Sequence, residues 1–182
     1  MTEYSESVGK TFNLYGIKEP INSLSSLFMS IYTLYNINYD NISNINNIIK
    51  IIIVVNLLSS VIYHGTYNNT AELLDGFTMI LPFIYIFIYY KYYLFTIISI
   101  ILYSLFDCTI AFTFSFITFF IIKYKSIKDN TQFVDGFILC LFASIFRFSD
   151  IIFNKYWYLY GHAFWHVFMA LGLIKIINSL DW

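Results

Sequence analysis

The 182-residue chain is 59% hydrophobic and 22% aromatic, and only 12% of its residues are charged. A soluble domain carries about 25% charged residues, so this composition is typical of a membrane protein and the length of one helical bundle. The net charge of −1 argues against nucleic-acid binding, and the two cysteines, Cys108 and Cys140, stand in apolar sequence typical of buried thiols rather than a disulfide framework.

Apolar segments long enough to be membrane helices follow one another along most of the chain. Residues 1–18 are polar and are predicted to contain no removable signal peptide and to lie outside the bilayer. Residues 19–182 are predicted to form an all-α, polytopic membrane bundle of seven transmembrane helices. The predicted spans are residues 20–35, 48–63 and 71–90, two short spans within 92–122, then 133–153 and 159–177. The stretch 92–122 is divided near Asp107, because it is too long for one crossing of about 30 Å.

Local signals set the details of these spans. Gly65 is predicted to cap the second helix, followed by a short turn. Pro82 is predicted to kink the third helix, and residues 123–130 are predicted to form a charged loop. Arg147 and Asp150 stand at positions i and i+3 of the sixth helix, a spacing that favours a structural pairing between them.

All three histidines of the chain belong to one pattern. His64 ends the second predicted span, whereas His162 and His166 begin the seventh. Seven alternating spans place these side chains at one membrane face, together with Asp75 from the third span and Glu19 from the first. A bundle of six helices would put the last two histidines at the opposite face. Ionisable groups in apolar helices are costly and mark functional sites, so this convergence predicts a site.

The residue types at that face are those of a metal centre. Positions i and i+4 share a helix face, so His162 and His166 can bind one ion, with His64 as a third ligand. Three neutral imidazoles and a water describe a catalytic zinc site with one open position. Asp75 is a candidate general base or water-orienting group, and less favourably a fourth ligand. Ser60, one turn before His64, is a candidate donor to an oxyanion, because no histidine remains to activate it as a nucleophile.

The depth of this site predicts the class of substrate. Ser60 and His166 lie about one turn, roughly 5 Å, below the ends of their predicted helices. The reactive centre is therefore expected just beneath the membrane interface, where a lipid carries its linkage region. An amide or ester bond of an amphiphile is the expected substrate, and a water-soluble molecule is not.

Five segments carry a family resemblance. They are Glu19-Pro-Ile-Asn22-Ser-Leu-Ser25-Ser, Ser59-Ser60-Val-Ile-Tyr-His64-Gly-Thr, Asp75-Gly-Phe-Thr-Met, Phe148-Ser-Asp150 and Gly161-His162-Ala-Phe-Trp-His166. With these motifs the chain resembles the alkaline ceramidase family, part of the CREST group of seven-helix membrane hydrolases. The resemblance implies a zinc-dependent amidase that cleaves ceramide to a sphingoid base and a fatty acid. It also implies zinc ligation by the three histidines, with Asp75 and Ser60 beside the ion.

Two features depart from that family. Animal members carry an acidic, Asn-containing calcium motif that residues 1–18 do not reproduce, so a calcium site is not carried over, and a tryptophan usual near Phe148 is missing. Three alternatives stay open: another lipid hydrolase of the group, acting on an ester such as a remodelled lipid anchor; a seven-helix receptor resembling the progestin and adiponectin receptors; and a protein whose metal only joins helices. A multi-pass protein of this kind is expected in the ER or Golgi if its source is eukaryotic or viral.

Overall fold

The chain folds into a bundle of helices. The computed structural model describes residue 17 and residues 19–66, 68–106, 108–127, 130–152 and 161–180. These residues form seven α-helices and a short 3₁₀ helix, with no β-strand among them. In chain order the helices are α1 Pro20–Tyr35, 3₁₀ Tyr39–Asn41, α2 Ile45–Thr66, α3 Asn69–Tyr89, α4 Tyr93–Leu105, α5 Cys108–Ile127, α6 Thr131–Ile152 and α7 Gly161–Ser179. The predicted all-helical class and number of helices are confirmed, whereas the polar segment 1–18 lies almost wholly outside the described residues.

The end of α2 differs from the prediction. Gly65 does not cap this helix, because the helix continues through it to Thr66. The Glu19 N–H donates to the His64 carbonyl at 2.9 Å, and so binds one of the carbonyl groups that a glycine cap would otherwise satisfy. Asn68 then caps the start of α3, where its side chain accepts from the Thr70 N–H at 2.8 Å.

The predicted division of the long apolar stretch is confirmed. Helix α4 ends at Leu105 and α5 begins at Cys108, on either side of the predicted turn. Asp107 itself lies outside the described residues. No glycine or proline stands between the two helices in the sequence, and Phe106 ends α4 by donating its N–H to the Leu102 carbonyl at 3.1 Å.

The predicted charged loop over residues 123–130 is wrong in its first part. Helix α5 continues to Ile127. Lysine is a good helix former, so charged residues alone do not end a helix. The Nζ of Lys123 lies 3.4 Å from the centre of the Tyr90 ring and makes a cation–π contact there.

Helices α6 and α7 pack at very short range, and this contact positions both histidines of α7. A Cβ added at Gly172 would lie 2.6 Å from the Gly136 carbonyl oxygen and 2.5 Å from Cys140 Sγ. Glycine is therefore required where the two backbones meet. Helix α7 also contacts α1 and α2, and His162 at the beginning of α7 meets His64 near the end of α2.

The surface of the bundle is apolar. Helices α2 and α3 are long and apolar enough to cross a membrane, and Tyr93–Leu105 and Cys108–Lys123 are shorter apolar helices. Exposed large apolar side chains occur on every helix, for example Leu24, Ile51, Leu73, Leu94, Ile117, Leu141 and Phe164. Aromatic side chains pack against one another between the helices, as in the edge-on contact of Phe83 and Phe112, whose ring centres lie 5.5 Å apart.

Candidate metal centre

The three histidines meet at one point in the bundle. His64 Nε2 lies 3.0 Å from His162 Nε2 and 3.3 Å from His166 Nε2. One ring nitrogen from each residue lies within 4.8 Å of the other two. All three side chains are buried, and His64 is completely so. The three rings thus lie where the end of α2 meets the first two turns of α7.

The spacing of the nitrogens fits a single metal ion. Zinc binds imidazole nitrogen at about 2.0–2.1 Å, and two nitrogens of a tetrahedron of that size are roughly 3.3 Å apart. The two distances measured from His64 are close to that value. The His166 ring stands at 80° to His64 and 88° to His162, so the nitrogens approach from different directions. The buried three-histidine group can therefore hold a metal ion.

Glu19 fixes the orientation of His64. Its Oε2 lies 2.5 Å from His64 Nδ1 and accepts a further hydrogen bond from Asn22 Nδ2 at 3.0 Å. Both Glu19 and His64 have no exposed surface. A carboxylate only accepts hydrogen bonds, so the His64 proton is held at Nδ1, and the Nε2 lone pair faces the other histidines. Sequence reasoning placed Glu19 at this face without assigning this role to it.

We expect the Glu19→Gln substitution to weaken zinc binding by about 10- to 100-fold. A neutral amide holds the His64 Nδ1 proton less firmly, and its NH₂ group can turn toward the ring and favour the wrong tautomer. Competition with a chelator of known affinity measures the change. Glu72→Gln is the matched control, because Glu72 lies on α3 outside the three-histidine group. Equal zinc affinity in both variants would show that Glu19 does not support His64.

Ser60 and Asp75 both lie beside the histidines. Ser60 Oγ is 3.4 Å from His166 Nε2, accepts a hydrogen bond from Ser26 Oγ at 3.3 Å, and is almost completely buried. Asp75 is half-buried, interacts with Ser60 and is not part of the group of potential ligands found among the described residues. The structure therefore places a hydroxyl and a carboxylate next to the histidines, with the carboxylate outside the ligand set.

Asn56 holds Asp75 in place and was missed from the sequence. Its Nδ2 donates to Asp75 Oδ1 at 3.3 Å, to the Asp75 carbonyl at 3.0 Å and to Thr78 Oγ1 at 3.1 Å. Asn56 stands four residues before Ser60 on α2, and positions i and i+4 share a helix face. That spacing was the signal that could have identified it.

Arg147 also reaches the site. Its Nη1 contacts His162 Nδ1, and its Cζ lies 5.6 Å from the centre of the Trp165 ring. The predicted pairing with Asp150 remains a prediction, because the Asp150 side chain lies outside the described part of the chain. Arg147 is the single arginine of the sequence, in an apolar predicted span, and this was the signal for a functional role.

A cavity of about 90 Å³ adjoins the histidines between α3, α5, α6 and α7. Its lining combines the ionisable side chains of Asp75, Arg147 and His162 with the hydroxyl groups of Thr109, Thr113 and Ser144 and with apolar groups such as Phe112 and Phe116. A smaller cavity beside His166 shares Phe112 and Trp165 with it. A ligand that combines a polar group with an apolar chain fits this lining.

Comparisons with family models, with curated proteins and with solved structures find no match for the chain. The interpretation of the site rests on its residues and their geometry.

Proposed function

We propose that this chain is a zinc-dependent hydrolase of a membrane lipid, and that the amide bond of ceramide is its first candidate substrate. The observation that carries the proposal is the set of three buried imidazoles whose nitrogens lie within 4.8 Å of one another. Three protein ligands leave one position open, as in catalytic zinc sites, whereas structural zinc sites have four. Neither cysteine joins the group found among the described residues.

A bilayer is the proposed environment of the bundle. Helices α2 and α3 have the length and hydropathy of membrane spans, and large apolar side chains face outward on all seven helices. Soluble monomers rarely expose contiguous apolar patches of more than a few hundred Å². Placing all seven helices in a membrane buries these side chains in lipid and opens the cavity beside the histidines to an amphiphile.

The residues around the histidines have complementary roles in the proposed reaction. Zinc held by His64, His162 and His166 would lower the pKa of water at the site to about 7 and would polarise a carbonyl group. Asp75, held by Asn56, accepts a proton from the attacking water and returns it to the leaving nitrogen. Ser60, beside His166 Nε2, donates a hydrogen bond from its O–H group to the carbonyl oxygen as negative charge develops there. Amide cleavage then yields a carboxylate and an amine.

The choice of ceramide rests on the motifs. The spacing of Ser60, His64 and Asp75 and the final histidine pair resemble the alkaline ceramidase family. The mainly apolar lining of the cavity suits an acyl chain. An ester-linked lipid would use the same groups, because the attack on the carbonyl is the same in both reactions.

Fatty acid release by purified protein in detergent or lipid vesicles tests the proposal. We expect zinc-loaded protein to release fatty acid from ceramide, to lose this activity with a zinc chelator and to regain it when zinc is returned. Release only from phospholipid or anchor esters would replace ceramide by an ester substrate. Stable zinc binding without turnover of any lipid, combined with unfolding on chelation, would reduce the metal to a structural role.

A further inference from the structure

The wall of the cavity beside the histidines carries a permanent positive charge. Arg147 lines this cavity together with Asp75 and His162. A guanidinium is always protonated in proteins and hydrogen-bonds carboxylate and phosphate groups through two parallel N–H donors. Any ligand that enters the cavity beside His162 therefore meets this cation.

The charges around the site favour an anion. Among the described residues at the site, Arg147 carries one positive charge and Asp75 and Glu19 carry one negative charge each, and a bound zinc ion would add two positive charges. The Glu19 carboxylate is already engaged by His64 and Asn22 on the far side of the histidines. On the cavity side, only Asp75 opposes the zinc ion and Arg147, among the described residues that line it.

From this arrangement we infer that the cavity selects an acidic amphiphile, whose carboxylate or phosphate lies a few bonds from the cleaved linkage and pairs with Arg147. The inference rests on the proposed lipid hydrolysis and names an acidic lipid, in place of neutral ceramide, as the preferred class of substrate. The negative group must be close to the linkage, because Arg147 contacts the ring of His162, whose other nitrogen faces the metal position. A long spacer between the two groups would carry the anion past Arg147.

Arg147 forms part of the cavity wall beside the Trp165 ring, so an anionic group of a bound amphiphile would lie against its guanidinium. Met79, Phe112 and Phe116 line the same cavity and provide apolar surface for the acyl chain.

Amides with the same acyl chain and different head groups test this inference. N-oleoylglycine carries a carboxylate next to the amide nitrogen, oleoyl ceramide 1-phosphate carries a phosphate, and oleoyl ceramide is neutral. We expect the zinc-loaded protein to have a lower KM for at least one acidic amide than for ceramide. Arg147→Gln should raise that KM by about 10- to 100-fold and change the KM for ceramide by less than about threefold. The KM of Arg147→Lys for the acidic amide should lie between the values of the unaltered protein and Arg147→Gln, because lysine keeps the charge.

Ile145→Ala is the matched control, because Ile145 lies on the same helix, is exposed and does not line the cavity. All variants are compared at equal zinc content, since Arg147 touches a histidine of the site. The two acidic amides identify the anion: a preference for one assigns a carboxylate or a phosphate to the substrate. A lower KM for ceramide than for both acidic amides would overturn the inference. An equal change in KM for neutral and acidic amides on Arg147→Gln would also overturn it.

Direct binding of tetradecyl phosphate separates this inference from the proposed hydrolysis. This amphiphile has no amide or ester of a fatty acid to cleave, and tetradecanol is its neutral counterpart. We expect the zinc-loaded protein to bind the phosphate, and Arg147→Gln to lose about 10- to 100-fold in affinity. If no amide is hydrolysed but this binding depends on Arg147, the proposed reaction fails and the anion site stands. Equal binding of tetradecyl phosphate and tetradecanol would remove the anion site.

Discussion

The His166→Ala protein is expected to purify with less than roughly a tenth of a zinc ion per chain, against about one for the unaltered protein. Only two imidazoles then remain to hold the ion, and a zinc site of this type needs three protein ligands. Because the hydrolysis uses the ion directly, fatty acid release should fall by at least about a thousandfold. Metal analysis of detergent-purified protein and a fatty acid assay measure the two effects together.

Two further variants distinguish ligand loss from misfolding. His166→Cys keeps a zinc ligand at the position and should recover much of the metal content. Phe164→Ala is the matched control on α7, because Phe164 points outward and about half of its side chain is exposed. Unchanged zinc content in His166→Ala would remove this histidine from the metal site, and loss of zinc in Phe164→Ala would make metal content a measure of α7 stability.

Helix positions follow from the sequence where both ends of a segment carry their own signals. Helix α1 runs from Pro20 to Tyr35 as predicted, because proline begins it and the Asn-rich segment follows it. The end of α2 was mispredicted for a tertiary reason. The hydrogen bond from Glu19 N–H to the His64 carbonyl joins residues 45 positions apart, and no local pattern discloses it.

The meeting of the three histidines could be predicted from the number of helices alone. Once seven helices alternate in direction, the end of α2 and the beginning of α7 share one end of the bundle. The partners of the rings could not be predicted in this way. The contact of Arg147 with His162 depends on how α6 is rotated against α7, and the glycine contact of Gly136 and Gly172 sets that rotation.

For Glu19, too, the sequence predicts the end of the bundle but not the side chain that it contacts. Its position at the start of α1 predicts the correct end of the bundle, yet many carboxylates at a helix start face solvent and interact with the helix dipole. The structure instead buries Glu19 completely and directs Oε2 to His64 Nδ1. The outcome depends on the contact of α1 with α2, which brings the two residues together.

Asp75→Asn should lower the rate constant kcat by about 10²- to 10⁴-fold without loss of zinc. Asparagine has the shape of aspartate and can still accept the hydrogen bond from Asn56 Nδ2 through its carbonyl oxygen, but it cannot take a proton from water. Metal content should stay near one ion per chain, because Asp75 lies outside the ligand group found among the described residues. Single-turnover release of fatty acid at saturating lipid measures the effect.

Asp135→Asn is the control, since Asp135 is an exposed carboxylate on α6 that pairs with Lys175 at 3.6 Å. It should keep both zinc and kcat. Loss of zinc in Asp75→Asn would instead make Asp75 a fourth ligand and fill the position that the proposed reaction needs open. An unchanged kcat would assign proton transfer to another group. Because His166→Ala should remove zinc and activity together, whereas Asp75→Asn should remove activity alone, the two variants separate the groups proposed to hold the metal from the group proposed to move the proton.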